Sequence, residues 1–200
     1  MTISYEDINT YEKFTDLLTC QEASSIIRAN VDTIAKLIPE VKDMEGFDQM
    51  SIYHNLDVLE HTLKVLDGIP CDIDGKRDVV LAYSAFFHDI AKPACFYIDP
   101  ADGHGHMDGH PEAGEVVFRN FAEHIGFPVD AANDISKLII YHDTFVEQTP
   151  EEVIKLVELM TPSLMDKLQI LQRADVLAHS PRGLSRLTKL EKIIQIRQNI

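Results

Sequence analysis

Residues 79–90 read VVLAYSAFFHDI, and this stretch decides the fold. Val79 to Phe87 is apolar on nearly every side, so as a helix, predicted over about Arg77 to Ile90, it belongs at the centre of the molecule. His88 and Asp89 end that buried helix. Adjacent helical residues are about 100° apart, so two such side chains can hold one cation from the side of the helix. Burying them without a metal or another cation would be costly.

Working outward, apolar residues recur at threes and fours along most of the chain and hardly any segment alternates with period two, which predicts an all-α fold. Residues 6 to 19 read as one amphipathic helix. Ile26, Ile27, Val31, Ile34 and Ile38 mark a second, ending before Pro39, and a third runs from about Ile52 to Leu66, stopped by Gly68 and Pro70. Residues 93 to 110 carry Pro93, Pro100, Gly103, Gly105 and Gly109 without a helical period, giving a long loop of the kind that serves function. Beyond it, Pro111 starts a helix ending near Gly126, and residues 130 to 142 form another behind Asp130. Thr149-Pro150-Glu151-Glu152, Thr161-Pro162 and Ser180-Pro181 each read as a helix start. No linker, repeat or low-complexity stretch divides the 200 residues, so a single domain over 1–200 is expected.

Composition narrows the function. Lys and Arg number 18 against 33 Asp and Glu, a net charge of -15, and such a field repels DNA, RNA backbones and anionic lipid. DNA is excluded as a partner, tRNA is disfavoured, and a small phosphorylated ligand fits better. No apolar run approaches the roughly 18 to 20 residues of a membrane span, and MTISYEDINT offers neither a basic region nor an apolar signal core, so no membrane partner and a cytoplasmic location are expected. Cys20, Cys71 and Cys95 are odd in number and widely spaced, as reduced thiols are.

The informative positions are ionisable groups on buried faces. In the helix from Pro162, Leu164, Leu168, Leu171, Asp175 and Ala178 form one stripe, placing the carboxylate among core leucines; a salt bridge to Arg173 or a cap for another helix would also explain it. His142 shares a face with Ile135, Leu138 and Ile139, where a satisfied core histidine is the alternative. His54 and His61 are seven apart on the third helix, with Asp57 between them on the same side. Lys92 lies one turn past His88-Asp89, where it can hold an anionic substrate or simply favour a helix C-terminus. His104, His106 and His110 crowd the glycine-rich loop; the first two read as solvent-exposed, and His124 and His179 near helix ends need no role.

In order, the sequence gives LEHTLKVLD around His61, FFHDIAKP around His88-Asp89, GHPEAG around His110, IIYHD around His142 and LQRADVLAHS around Asp175. That ordered set resembles the HD-domain superfamily of metal-dependent phosphohydrolases, most closely the HD portion attached to bacterial tRNA nucleotidyltransferases, over about residues 51–180. The resemblance implies a helical bundle around a central metal site. It implies that His61, His88, Asp89 and Asp175 ligate a first divalent ion, one of Mn, Fe, Co, Ni, Zn or Mg, and that His110 and His142 match the positions for a second. It also places Lys92 near the phosphate, with Asp89 and Lys92 as the catalytic pair and Lys92, His54 and Arg173 facing the substrate. Ala91 stands where glycine is frequent, and Pro111 follows His110 where an acidic residue is usual. Proline restricts the residue before it to extended conformations, so His110 is predicted to be the weaker partner and the second ion the weaker of two. No glycine-serine turn followed by paired carboxylates on a strand is present, so the resemblance does not carry CCA addition.

The activity implied is hydrolysis of small phosphomonoesters or cyclic phosphodiesters, probable nucleotides among them. A diiron oxygenase uses the same six positions in a minority of the superfamily, and a nucleotide-sensing module without turnover is the third alternative.

Overall fold

The apolar run that opens the sequence argument becomes the hub of a helical bundle. A computed structural model describes residues 1–144 and 148–200. After a 3-10 turn at Tyr5–Asp7, the described helices are α1 (Tyr11–Thr19), α2 (Ala23–Arg28), α3 (Val31–Ile34), α4 (Glu40–Met44), α5 (Val58–Gly68), α6 (Val79–Phe87) and α7 (Lys92–Cys95). Two short strands follow, β1 (Tyr97–Ile98) and β2 (Gly105–His106), then α8 (His110–Ile125), α9 (Val129–Tyr141), α10 (Pro150–Glu158), α11 (Pro162–Ala178) and α12 (Ser185–Gln198). Helix α6 is surrounded by α1, α5, α9 and α11.

Around α6 the filling is aromatic. Phe14, Tyr83, Phe86, Phe87 and Phe118 are fully buried, and they meet Phe121 and Phe127 largely edge to face, as ring quadrupoles prefer. The one hydroxyl in this group is satisfied, since Tyr83 Oη lies 2.9 Å from Thr15 Oγ1. Burial pushes the Tyr83 phenol up from its ordinary value.

Several helix boundaries differ from the sequence reading, each for a local reason. The helix expected over 6–19 begins at Tyr11, because Thr10 caps it by accepting from the Lys13 N–H. The second helix is two, broken at Asn30, whose side chain bonds to the Ile26 and Met1 carbonyls and the Ile3 N–H instead of pointing away from the backbone. The third starts at Val58 rather than Ile52: Asp57 is its N-cap, accepting from Glu60 N at 2.7 Å. Helix α6 likewise starts behind Asp78, which accepts from Leu81 N. Pro128, not Asp130, precedes α9.

Thr149 and Thr161 cap α10 and α11 as their motifs predict. Ser180-Pro181 does not open the last helix, which starts at Ser185; the Ser180 hydroxyl donates to Ile52 O and ties this turn to the segment before α5. The long loop after Lys92 is also more ordered than expected. It holds α7 and an antiparallel hairpin pairing Tyr97 with His106 and Ile98 with Gly105. Among the described residues no helix is long and apolar enough to cross a membrane.

A candidate metal centre at the end of the core helix

Five helices and their ends deliver polar side chains to one buried point. His61 comes from α5, one turn inside its Asp57 cap. His88 is the C-cap of α6, and Asp89 follows it. His110 opens α8, His142 closes α9, and Asp175 lies on the buried face of α11. All six are buried, His61, His88 and Asp89 at 1% exposure or less.

Asp89 is the centre of the cluster. Its Oδ2 lies 3.3 Å from His61 Nε2, 3.2 Å from His88 Nε2 and 2.7 Å from Lys92 Nζ. Its Oδ1 lies 3.3 Å from His110 Nε2 and 3.5 Å from His142 Nε2. Asp175 Oδ1 stands 2.9 Å from His61 Nε2 and 3.9 Å from His88 Nε2. One carboxylate therefore serves two histidine pairs, and two buried triads, His61-His88-Asp89 and Asp89-His110-His142, each have donor atoms close enough to hold an ion.

The backbone fixes how these imidazoles face. His88 Nδ1 is 2.8 Å from Ala85 O, His110 Nδ1 2.8 Å from Met107 O, and His142 Nδ1 2.7 Å from Ile139 O. A carbonyl only accepts, so each Nδ1 carries a proton and Nε2 is the nitrogen turned toward Asp89. Metal-ligating histidines are oriented in this way. His110 Nε2 and His142 Nε2 then confront each other at 3.3 Å. Two lone pairs at that distance repel unless a cation or a proton lies with them.

The remaining polar atoms give the same result. His88 Nε2 and both Asp89 oxygens have no well-directed hydrogen bond although buried, a costly arrangement in an apo interior. The donor set, imidazole nitrogen with carboxylate oxygen, suits a divalent ion, so the residues fit the metal that their order implies.

The charges are mutually adjusted. Burial opposes ionisation of Asp89, but the His88 and Lys92 charges, with His110 and His142, hold its carboxyl well below the usual range. Burial likewise opposes ionisation of Asp175, and His61, His179 and His88 overcome it. Burial lowers His61 and prevails over its Asp175 and Asp89 neighbours. At His142 burial acts in the same direction, yet Asp89 outweighs it and the imidazole is raised.

Pro111 does not displace His110. The chain reverses at Gly109, whose φ of +81° is the left-handed region glycine favours, so His110 is the first residue of α8 and Pro111 sits in the first turn. His54 is not on the helix with His61, since it precedes the Asp57 cap. Its ring still lies 5.1 Å from that of His61 and 4.4 Å from that of His179. Burial, then Lys92 and its histidine neighbours, push His54 down to about 2. Lys92 opens α7 rather than closing the core helix. Arg173 is a correction: it is exposed on α11, two residues and about 200° from Asp175, and neither pairs with Asp175 nor lines the cleft.

That cleft, about 440 Å³, opens from Asp89, Asp175 and Lys92 past Tyr53, His54 and Arg186 to solvent. Three residues in or behind it carry no role in the sequence reading. His179 is buried, with Nδ1 2.8 Å from Asp175 O; its place four residues after Asp175 was the available signal. Arg186, paired with Asp143 at 2.8 Å, reaches the cleft from α12. Gln49, buried and 3.1 Å from Lys92 Nζ, carries no signal at all in sequence.

A family model described as "HD domain" matches residues 51–180. The chain is 27% identical over 158 residues to the CC-adding tRNA nucleotidyltransferase of Thermus thermophilus, covering 78% of this chain and 35% of that protein. It is 28% identical over 91 residues to the A-adding tRNA nucleotidyltransferase of Deinococcus radiodurans, covering 46% of this chain and 20% of that one. The matches thus span about a third or less of the length of these curated relatives.

Proposed function

This chain belongs to the HD domain family, and from that premise we propose that it is a metal-dependent phosphohydrolase acting on small phosphomonoesters or cyclic phosphodiesters, nucleotides above all. The observation that carries the reading is the pair of imidazoles, His110 and His142, whose Nε2 atoms face one oxygen of Asp89 while those of His61 and His88 face the other. His61, His88, Asp89 and Asp175 would hold a first divalent ion, and His110 and His142 a second, sharing Asp89. When bound, such ions supply Lewis acidity toward a phosphoryl oxygen and a lowered pKa for water.

The protein's own part is positioning and charge. Lys92 brings an ammonium to the floor of the cleft, where a phosphoryl group would lie against it. Arg186 adds a guanidinium at the wall, matched in shape to phosphate oxygens. A cleft of about 440 Å³ lies within the roughly 300–1,000 Å³ of small-molecule sites. The net charge of -15 works against RNA as substrate, so the tRNA chemistry in the relatives' names is not carried over.

The test is metal analysis of protein purified without added metal, followed by a panel of nucleotide monophosphates and 2′,3′-cyclic phosphates with Mn, Co, Ni or Mg. The expected result is at least one ion retained, a second that is weaker, and ester turnover above background. The sharing of Asp89 between two triads also suits a diiron oxygenase. Two irons at full occupancy, with oxygen consumption and no ester turnover, would establish that reading and overturn the hydrolase.

A further inference from the structure

We infer that Gln49 is a positioning residue, whose side-chain carbonyl turns Lys92 so that one ammonium N–H remains for a phosphoryl oxygen in the cleft. The inference rests on the phosphohydrolase reading above and deepens it. It concerns a residue outside the span matched by the family model.

Gln49 is 1% exposed, and both ends of its amide are engaged. Oε1 accepts from Lys92 Nζ at 3.1 Å, and Nε2 donates to Leu56 O at 3.4 Å. On its other side Lys92 Nζ lies 2.7 Å from Asp89 Oδ2. An ammonium has three N–H groups. With Asp89 alone beside it, a buried ammonium collapses onto the carboxylate. A second acceptor besides that carboxylate fixes rotation about Cε–Nζ, and the N–H left over is the one available to the cleft that Lys92 lines.

The backbone around Gln49 is built to hold it there. Met50 has φ +46°, the one non-glycine residue with positive φ among the described residues, and strain of this kind persists where surroundings over-determine it. Asp48 Oδ1 accepts from Met50 N at 2.8 Å, and Gly105 N donates to Met50 O at 3.1 Å. The hairpin presses so closely that a Cβ on Gly105 would lie 2.4 Å from Gln49 O. Phe47 meets Phe96 edge to face on the near side. The strained turn is thus clamped by the hairpin, and its buried side chain is aimed at Lys92.

The experiment measures inorganic phosphate binding by calorimetry to protein carrying the metal it retains on purification. Gln49→Met, Lys92→Met and the double variant are compared, with metal content checked for each. The expected result is phosphate affinity about tenfold weaker in Gln49→Met, the loss of one charge-assisted hydrogen bond, with metal content unchanged. In the Lys92→Met background the Gln49 substitution should add nothing, the mark of action through Lys92. For a phosphoester, KM should rise with the phosphate dissociation constant while kcat changes less.

An equal loss from Gln49→Met in the presence and absence of Lys92 would overturn the inference, as would unchanged phosphate affinity in Gln49→Met. Failure of the underlying reading looks different: the unaltered protein would bind phosphate through Lys92 yet turn over no ester.

Discussion

Along α6 the side chains of Tyr83, Phe86 and Phe87 pack ring against ring, whereas one residue further on His88 and Asp89 begin a buried region of polar atoms without hydrogen-bond partners. Both regions are buried, and they meet at the end of the same helix. The first completes itself: its one hydroxyl finds Thr15, and its rings fill the space among α1, α8 and α9. The second holds four Nε2 atoms around one carboxylate and, on the proposed reading, would be completed by a metal ion. The difference shows that burial alone does not define a core. What defines it is whether the chain satisfies every group it buries.

Asp89→Ala tests the polar region most severely. It removes the one group common to both triads, so metal retention should be lost and ester turnover should fall at least about a thousandfold, roughly 4 kcal/mol of transition-state stabilisation. A variant with full metal content by elemental analysis would break the comparison, because the polar region would then be complete without its centre. Phe14→Ala tests the aromatic region. Phe14 is fully buried against Tyr83, Phe86 and Phe121, and its truncation should cost about 3–5 kcal/mol in urea unfolding. Metal bound per folded molecule should not change, and if it does the two regions are not separable.

Removing metal should reproduce part of that loss without any mutation. An ion present at about a thousand times its dissociation constant adds about 4 kcal/mol to native stability. At about 2–4 °C per kcal/mol for a chain of this size, chelation should lower Tm by roughly 10 °C. An unchanged Tm would mean that no ion is held in the folded state.

The smallest effect is that of pH on the chelated protein. His54 and His61 are held below their unfolded values, chiefly by burial, so the unfolded chain takes up protons that the folded chain refuses. Their contribution is complete above the unfolded value near 6.5 and declines as pH falls through the window below it. Raised His142 acts oppositely, stabilising at low pH and losing that contribution as pH rises through its folded value, but it is one group against two. Tm of the metal-free protein should therefore fall between about pH 6.5 and 5. The Phe14→Ala variant should show the same slope at lower Tm, and a flat profile would contradict the burial of these histidines.

How much of this was legible beforehand followed the same division. Helices α6, α8 and α11 were readable because their apolar periods and caps are local, and the six centre residues because their order and neighbouring residues survive in one dimension. The boundaries that shifted depend on side chains bonding back to the main chain, as at Asn30 and Asp57. The short helix α7 and the hairpin between Lys92 and His106 depend on contacts with residues far away in sequence. Gln49 and Arg186 belong to the site only through distant partners, Lys92 and Asp143. Arg173 was misassigned for the converse reason: it is close to Asp175 along the chain but faces solvent on the helix.

Asp89 offers one oxygen to each histidine pair, and this has a thermodynamic consequence. A carboxylate polarised from one side is a changed ligand on the other, so an ion held at His61-His88 and one held at His110-His142 would not bind independently. Reciprocity requires that whatever the first does to the affinity of the second, the second does equally to the first. Loading curves for the two positions should thus be read as one cooperative isotherm rather than as two separate sites.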